Sequence, residues 1–281
     1  MNFSSINEVK ALLNKYGFNF SKALGQNFLI SPHIPQKIAE ESGINKNCGI
    51  IEIGPGIGTL TDKLCEASAK VCSIEIDKKL LPLLTETMAN HDNFTLYNDD
   101  VLKADLNKIA ADNFENLHIH AVANLPYYIT TPAIIRLIES CIFESITVMV
   151  QKEVALRMIA TEKDKEYGSF SVFINFYSKP KLLFTVAPTC FIPAPKVHSA
   201  VVRLDLNQKN NFKHPDQFFK VVRAAFGQRR KTLLNALSTE FDKEIVKKAI
   251  ANCKFPPNIR GEALNIKDFE RLTEELWNFI F

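Results

Sequence analysis

The stretch Val122-Ala-Asn-Leu-Pro-Tyr-Tyr-Ile-Thr-Thr-Pro132 ends an apolar run on an amide, a rigid turn and two tyrosines. Such groups suit one demanding substrate, the exocyclic amine of a nucleobase, whose lone pair is delocalised into the ring. Asn124 offers a side-chain carbonyl and Leu125 a backbone carbonyl. Two acceptors aimed at the amine hydrogens pull the nitrogen toward a tetrahedral shape and localise that lone pair. Pro126 has no N–H and fixes the local backbone, and Tyr127 can stack on the ring. Stacking contributes about 1–3 kcal/mol per base, while extruding a paired base costs a few kcal/mol. The balance favours RNA loops or ends. No general base is needed, because the product ammonium loses its proton to solvent and the rate rests on positioning and electrostatics.

A second set of residues precedes this one. Glu52-Ile-Gly-Pro-Gly-Ile-Gly58 follows an apolar run, with glycines at 54, 56 and 58. Glycines there allow a sharp turn into a helix and a close approach of backbone to ligand. A dinucleotide fingerprint requires a further glycine three residues after Gly58, and the chain has Thr61. Some twenty residues on, Glu75-Ile76-Asp77 ends another apolar run, a position suited to ribose hydroxyls. Asp99 or Asp100, after a third run, could accept from an adenine amine. An acidic clamp without a pyrophosphate glycine fits an adenosine ligand that lacks phosphates, such as S-adenosylmethionine.

These groups need a scaffold. Residues 49–54, 71–76, 94–98, 118–123 and 145–151 read as strands, with helical segments between most of them. That alternation predicts an α/β fold with a mainly parallel sheet. Residues 181–186 and 199–206 lack a helix between them and read as an antiparallel pair closing the edge, which makes seven strands. The polar stretch 207–216 reads as a linker. Residues 217–237, 243–253 and 266–281 have helical spacing. The expected organisation is a catalytic domain over 1–206, with a short amphipathic helix at its start, and an all-helical domain over 207–281. Trp277 is expected as a core anchor there.

At 281 residues, with 46% hydrophobic and 23% charged, the chain can bury a substantial core. Its apolar runs are too short to cross a bilayer, and its N-terminus lacks a signal-peptide core. Cysteines 48, 65, 72, 141, 190 and 253 are scattered without a C-x-x-C pair. Reduced thiols, a cytoplasmic setting and no metal follow as expectations. Residues 1–195 carry 18 basic against 21 acidic side chains, whereas 196–281 carry 16 against 10. A polyanion docking late in the chain explains that asymmetry. Arg229, Arg230 and Lys231, on a helical pattern beside Phe226, read as phosphate contacts. The alternative is that one arginine pairs with an acid of the catalytic domain. His198 reads as structural.

The segments at 25–30 (GQNFLI), 52–61 (EIGPGIGTLT), 122–132, 191–204 (FIPAPKVHSAVVRL) and 226–237 (FGQRRKTLLNAL) occur in one order along nearly the whole chain. In this the sequence resembles the small-subunit rRNA adenine dimethyltransferases, the family of the kasugamycin-sensitivity methyltransferase. The resemblance implies a Rossmann-like class I methyltransferase domain and a helical C-terminal domain. It also implies transfer from S-adenosyl-L-methionine, with S-adenosyl-L-homocysteine as product, to N6 of two adjacent adenosines near the 3′ end of small-subunit rRNA. The implied partner is the small ribosomal subunit or its precursor, with no membrane, and a monomer is the default. By position, Asn27 and Leu29 would cover the methionine side of the cofactor, and Gly54 and Gly56 would lie under it. Glu75 would hold the ribose, Asp100 would meet the adenine amine, and Asn124 would sit beside the sulfonium. Phe191 would face the target base opposite Tyr127, and Gln26 and Lys22 would touch RNA or order the entrance. The stretch 256–266 (PPNIRGEALNI) departs from a more arginine-rich version and bears on one RNA contact. Leucine at 125 argues against the DNA adenine methyltransferases.

Overall fold

The computed structural model describes residues 6–18, 25–206 and 212–280. The chain divides into two compact units, Met1–Ala155 with Lys181–Gln208, and Leu156–Pro180 with Lys209–Phe281.

The described residues contain nine strands, β1 (Phe28–Leu29), β2 (Cys48–Ile53), β3 (Lys70–Glu75), β4 (Phe94–Asn98), β5 (His118–Asn124), β6 (Ser145–Gln151), β7 (Ser178–Val186), β8 (Phe191–Ile192) and β9 (Ser199–Leu206), all in the first unit save the first three residues of β7. Seven of them form one sheet in the order β4-β3-β2-β5-β6-β9-β7. The pairs β2–β3, β2–β5, β3–β4 and β5–β6 are parallel, and β9 runs antiparallel to β6. Every residue of β2 is buried, as expected of a central parallel strand covered on both faces. The strands stand within a residue or so of their expected bounds, except that β7 starts three residues early. β1 and β8 make a separate two-stranded ribbon, with Phe28 opposite Ile192 and Leu29 opposite Phe191.

From β2 the chain winds outward through β3 to β4, then returns to place β5 on the other side of β2. A crevice opens at the carboxyl ends of the strands where the winding reverses, the place where open α/β sheets bind ligands. The glycine loop follows β2, Glu75 ends β3, and Asn124 ends β5. Topology alone therefore gathers the three expected motifs.

The second unit is helical but discontinuous in sequence. Helix Ser169–Tyr177 is apolar on several sides and buries Val172 and Phe176 in this unit's core, the Phe176 ring stacked on Phe218 at 4.5 Å. Leu156–Pro180 thus joins the late helices, which a single boundary at 206 does not capture. Of the stretch read as linker, 207–211 lie outside the described residues; Phe212 packs on the helical core, and a helix starts at Pro215. The expected helix over 217–237 is two, Pro215–Gly227 and Leu233–Leu237, separated by a turn. Trp277 stacks on His214 with ring centroids 4.9 Å apart.

Candidate functional site

A cleft partly open to solvent occupies the crevice. Its floor is the glycine loop. Gly56 has φ +62°, a strained backbone for other residues, and a Cβ there would stand 3.0 Å from the Phe28 ring of β1, which would have to give way. Gly58 has φ +91° and sits at the cap position of helix Thr59–Ala67; a Cβ would lie 2.8 Å from Met88 Cε.

The acidic residues divide by location. Glu75 is buried and lines the cleft, and its two oxygens accept the main-chain N–H of Asp77 at 2.9 Å and of Gly56 at 3.4 Å. Burial pushes its carboxyl up to about 7. Asp77 is not part of the lining. Its oxygens accept the Lys79 N–H at 3.1 Å and the Gln26 amide at 2.8 Å. Geometry thus favours Glu75 as the carboxylate facing a ligand. Asp99 and Asp100 both line the cleft, Asp100 being the less exposed. Glu52 also lines it, 1% exposed, with one oxygen accepting the hydroxyls of Ser73 at 2.6 Å and Thr61 at 2.8 Å. Burial raises Glu52 to about 7 as well. Among the described residues that line the cleft there is no lysine, arginine or histidine. Four carboxyl groups and no cation suit a cationic, phosphate-free adenosine such as S-adenosylmethionine, and they disfavour a pyrophosphate.

At the other wall, the Leu125 N–H donates to the Met149 carbonyl at 3.1 Å, and the Pro126 carbonyl accepts from the Ile129 N–H and the Thr130 hydroxyl, each at 3.2 Å. The turn after β5 is thereby pinned at both ends. Asn124 donates its amide to the Asn27 carbonyl at 3.5 Å, and Asn27 donates its own to the Gly25 carbonyl at 2.9 Å. Tyr127 is half-buried, its hydroxyl 2.8 Å from Ser199 Oγ. Asn27, Leu29, Gly54, Gly56, Glu75, Asp100 and Asn124-Leu125-Pro126-Tyr127 all line the one cleft.

Phe191 requires a correction. It is 3% exposed, pairs with Leu29, packs in the core with Val186 and Val201, and is absent from the cleft lining. The apolar surroundings of β8 hold the ring inside, where it supports Leu29 from behind the cleft wall. Gln26 is tied to Asp77, and Lys22 lies outside the described residues. Residues not foreseen include Ser199, whose role depends on β9, and Tyr128, which is 50% exposed on the cleft rim. The doubled tyrosine was the available signal for the latter. His198 is exposed, and its carbonyl accepts the Lys152 N–H at 2.9 Å.

In the helical unit, residues 228–231 form a turn and not the helix expected. Arg229 donates to the carbonyls of Lys165 at 2.7 Å and Tyr167 at 3.3 Å and pairs with Glu262 at 3.3 Å, all within that unit. Glu262 belongs to the stretch 256–266 singled out above. Arg230 and Lys231 are exposed on the same turn.

A family model for ribosomal RNA adenine dimethylase matches residues 17–277. The protein named ribosomal RNA small subunit methyltransferase A of Alkaliphilus metalliredigens is 44% identical, covering 97% of each chain. Its namesake in Streptococcus thermophilus (strain ATCC BAA-250 / LMG 18311) is 47% identical, covering 98% of each. Among solved structures, a dimethyladenosine transferase from Plasmodium falciparum is similar with a TM-score of 0.74 and 26% identity, over 87% of this chain and 95% of that one. The 23S rRNA methyltransferase ErmE shares the fold, with a TM-score of 0.69 and 24% identity over 89% and 99%.

Proposed function

The chain belongs to the ribosomal RNA adenine dimethylase family, and from that premise we propose that it transfers methyl groups from S-adenosylmethionine to N6 of two adjacent adenosines near the 3′ end of small-subunit rRNA. It is an rRNA adenine dimethyltransferase with a Rossmann-like fold. One observation carries the finer reading: a single cleft with four carboxyl groups and no cation among its described lining ends on Asn124-Leu-Pro-Tyr127.

S-adenosylmethionine, when bound, supplies an electrophilic methyl on a sulfonium. Glu75 accepts from the ribose hydroxyls, its carboxylate already aimed by two main-chain N–H groups. Asp100 accepts from the adenine amine, and Asn27 and Leu29 cover the methionine side. The Asn124 amide oxygen and the Leu125 carbonyl accept from the N6 hydrogens of the target adenine. Tyr127 stacks on that base, with its hydroxyl steadied by Ser199. Proton loss to water completes each transfer. Arg230 and Lys231 meet RNA phosphates, and Arg229 orders their turn. The substrate is the small ribosomal subunit or its precursor in the cytoplasm.

Incubation with methyl-labelled S-adenosylmethionine and unmethylated small subunits, followed by nucleotide mapping, tests this. Label confined to two adjacent adenosines, each dimethylated, is the expected result. Label on large subunits alone, or on another base, overturns it.

A further inference from the structure

Three buried side-chain polar atoms lack a hydrogen-bond partner among the described residues: Thr59 Oγ1, Thr147 Oγ1 and Arg136 Nε. Of these residues, only Thr59 lines the cleft, and it is 6% exposed. A helical hydroxyl ordinarily bonds a carbonyl three or four residues back, as Ser68 does to Leu64 and Thr273 to Phe269, each at 2.7 Å. Thr59 is the first residue of its helix, so the chain behind it is the glycine loop. There the Pro55 carbonyl accepts the Gly58 N–H at 3.0 Å, and the Thr59 hydroxyl makes no bond to it or to any other described group. Gly58 has no side chain with which to cap the helix. The N-terminus of a nine-residue helix without a side-chain cap, Thr59–Ala67, therefore stands at the cleft floor, with an orphaned hydroxyl closed off from solvent on its first residue. An unpaired buried hydroxyl destabilises the protein that carries it, and a partner is to be expected when the cleft fills.

The chemistry of the cleft identifies that partner. S-adenosylmethionine brings a carboxylate at its amino-acid end into a lining with four carboxyl groups and no cationic side chain among the described residues. A helix N-terminus favours anions through its exposed N–H groups and dipole. Here the helix opens beside the segment of Phe28, whose ring lies over Gly56. We propose that the Thr59 hydroxyl donates to the carboxylate of the bound donor, with the N-terminus of its helix supplying the compensating positive charge. The inference rests on the reading of the cleft as the donor site and adds to it a residue that discriminates donors by their amino-acid end.

Calorimetric titration with two ligands tests it: S-adenosylhomocysteine, and 5′-methylthioadenosine, an adenosyl thioether without the amino acid. Thr59→Val keeps the shape and removes the hydroxyl. It should weaken S-adenosylhomocysteine about tenfold, the loss expected for a hydrogen bond to a charged group, and leave 5′-methylthioadenosine unchanged. Thr59→Ser should retain the affinity for both. In the ligand-free protein Thr59→Val should melt no lower than wild type, since it removes an unpaired polar atom. Equal weakening of both ligands, or none, with wild type binding both, overturns the role of Thr59 alone. Wild type binding neither ligand overturns the donor site itself, and the proposal with it.

Discussion

The side-chain amide of Gln26 donates to the carboxylate of Asp77 across 2.8 Å, joining two residues 51 positions apart. The bond ties the segment ahead of β1 to the chain just past β3, on either side of the cleft floor. Asp77 would otherwise be a second candidate for the ribose. With its oxygens taken by Gln26 and the Lys79 N–H, it becomes a latch instead. Gln26→Ala should raise the dissociation constant of S-adenosylhomocysteine severalfold, mainly through faster release in stopped-flow displacement. If the latch is one unit, Gln26→Ala combined with Asp77→Ala should be no worse than the weaker-binding single variant. Additive losses would separate the two residues.

Asn124 reaches the Asn27 carbonyl with its nitrogen, so its oxygen is the atom left for a substrate amine. Asn124→Ala removes one of the two acceptors aimed at N6. Loss of a single preorganised group of this kind costs about 10²–10³ in rate. The expected result is a fall of that size in methyl transfer, with S-adenosylhomocysteine affinity within about threefold of wild type, since Glu75 and the glycine loop are untouched. Turnover near wild type would remove the amide from the chemistry.

The three motifs at the strand ends were legible because each carries its own local signal: glycines for a turn, an acid closing an apolar run, and a proline after Asn124 and Leu125. Strand order then follows from winding, and the cleft from strand order. What was not legible needs contacts between distant segments. The pairing of β1 with β8 puts Phe191 opposite Leu29, and nothing local to FIPAP announces that its ring turns inward. Helix Ser169–Tyr177 joins the late helices through Phe176 and Phe218, 42 positions apart in sequence. The turn at 228–231 keeps helical spacing in its letters, while Arg229 satisfies the carbonyls of Lys165 and Tyr167.

Phe191 offers a test of that correction. With the ring in the core, Phe191→Leu should cost stability modestly and keep methyl transfer near wild type. Phe191→Ala should destabilise by about 3–5 kcal/mol, the usual range for emptying a buried aromatic site. Thermal melts and single-turnover rates measured together decide the matter. A large loss of rate in Phe191→Leu at an unchanged melting temperature would return the ring to the substrate.

Glu52 and Glu75 share a pH signature. Burial raises both from the ordinary carboxylate value of 4.5 to about 7, so the folded protein retains protons that the unfolded chain has released. Where the native state binds more protons, stability falls as pH rises. The contribution is complete below about 4.5 and is lost as pH climbs through about 7. Glu52→Gln leaves an amide oxygen to accept from Ser73 and Thr61 and removes one of the two ionisations. In the ligand-free enzyme its melting temperature should fall less between pH 5 and 8 than that of wild type. Parallel curves would mean that Glu52 does not titrate in this window.

Arg229, Arg230 and Lys231 stand on one turn but are not equivalent. Arg229 is committed to two carbonyls and Glu262, whereas Arg230 and Lys231 are exposed. Each phosphate contact to single-stranded nucleic acid contributes a slope of about 0.7 in log affinity against log salt concentration, through counterion release. Arg230→Ala with Lys231→Ala should therefore weaken binding to a small-subunit rRNA fragment and reduce the salt slope by about one to one and a half. The melting temperature should stay near wild type. Arg229→Ala should instead lower the melting temperature, because it removes the bonds that tie the turn to Lys165, Tyr167 and Glu262, and should affect RNA binding through disorder of the turn. If the double variant keeps the full salt slope, phosphate recognition lies on another face of the basic late segment.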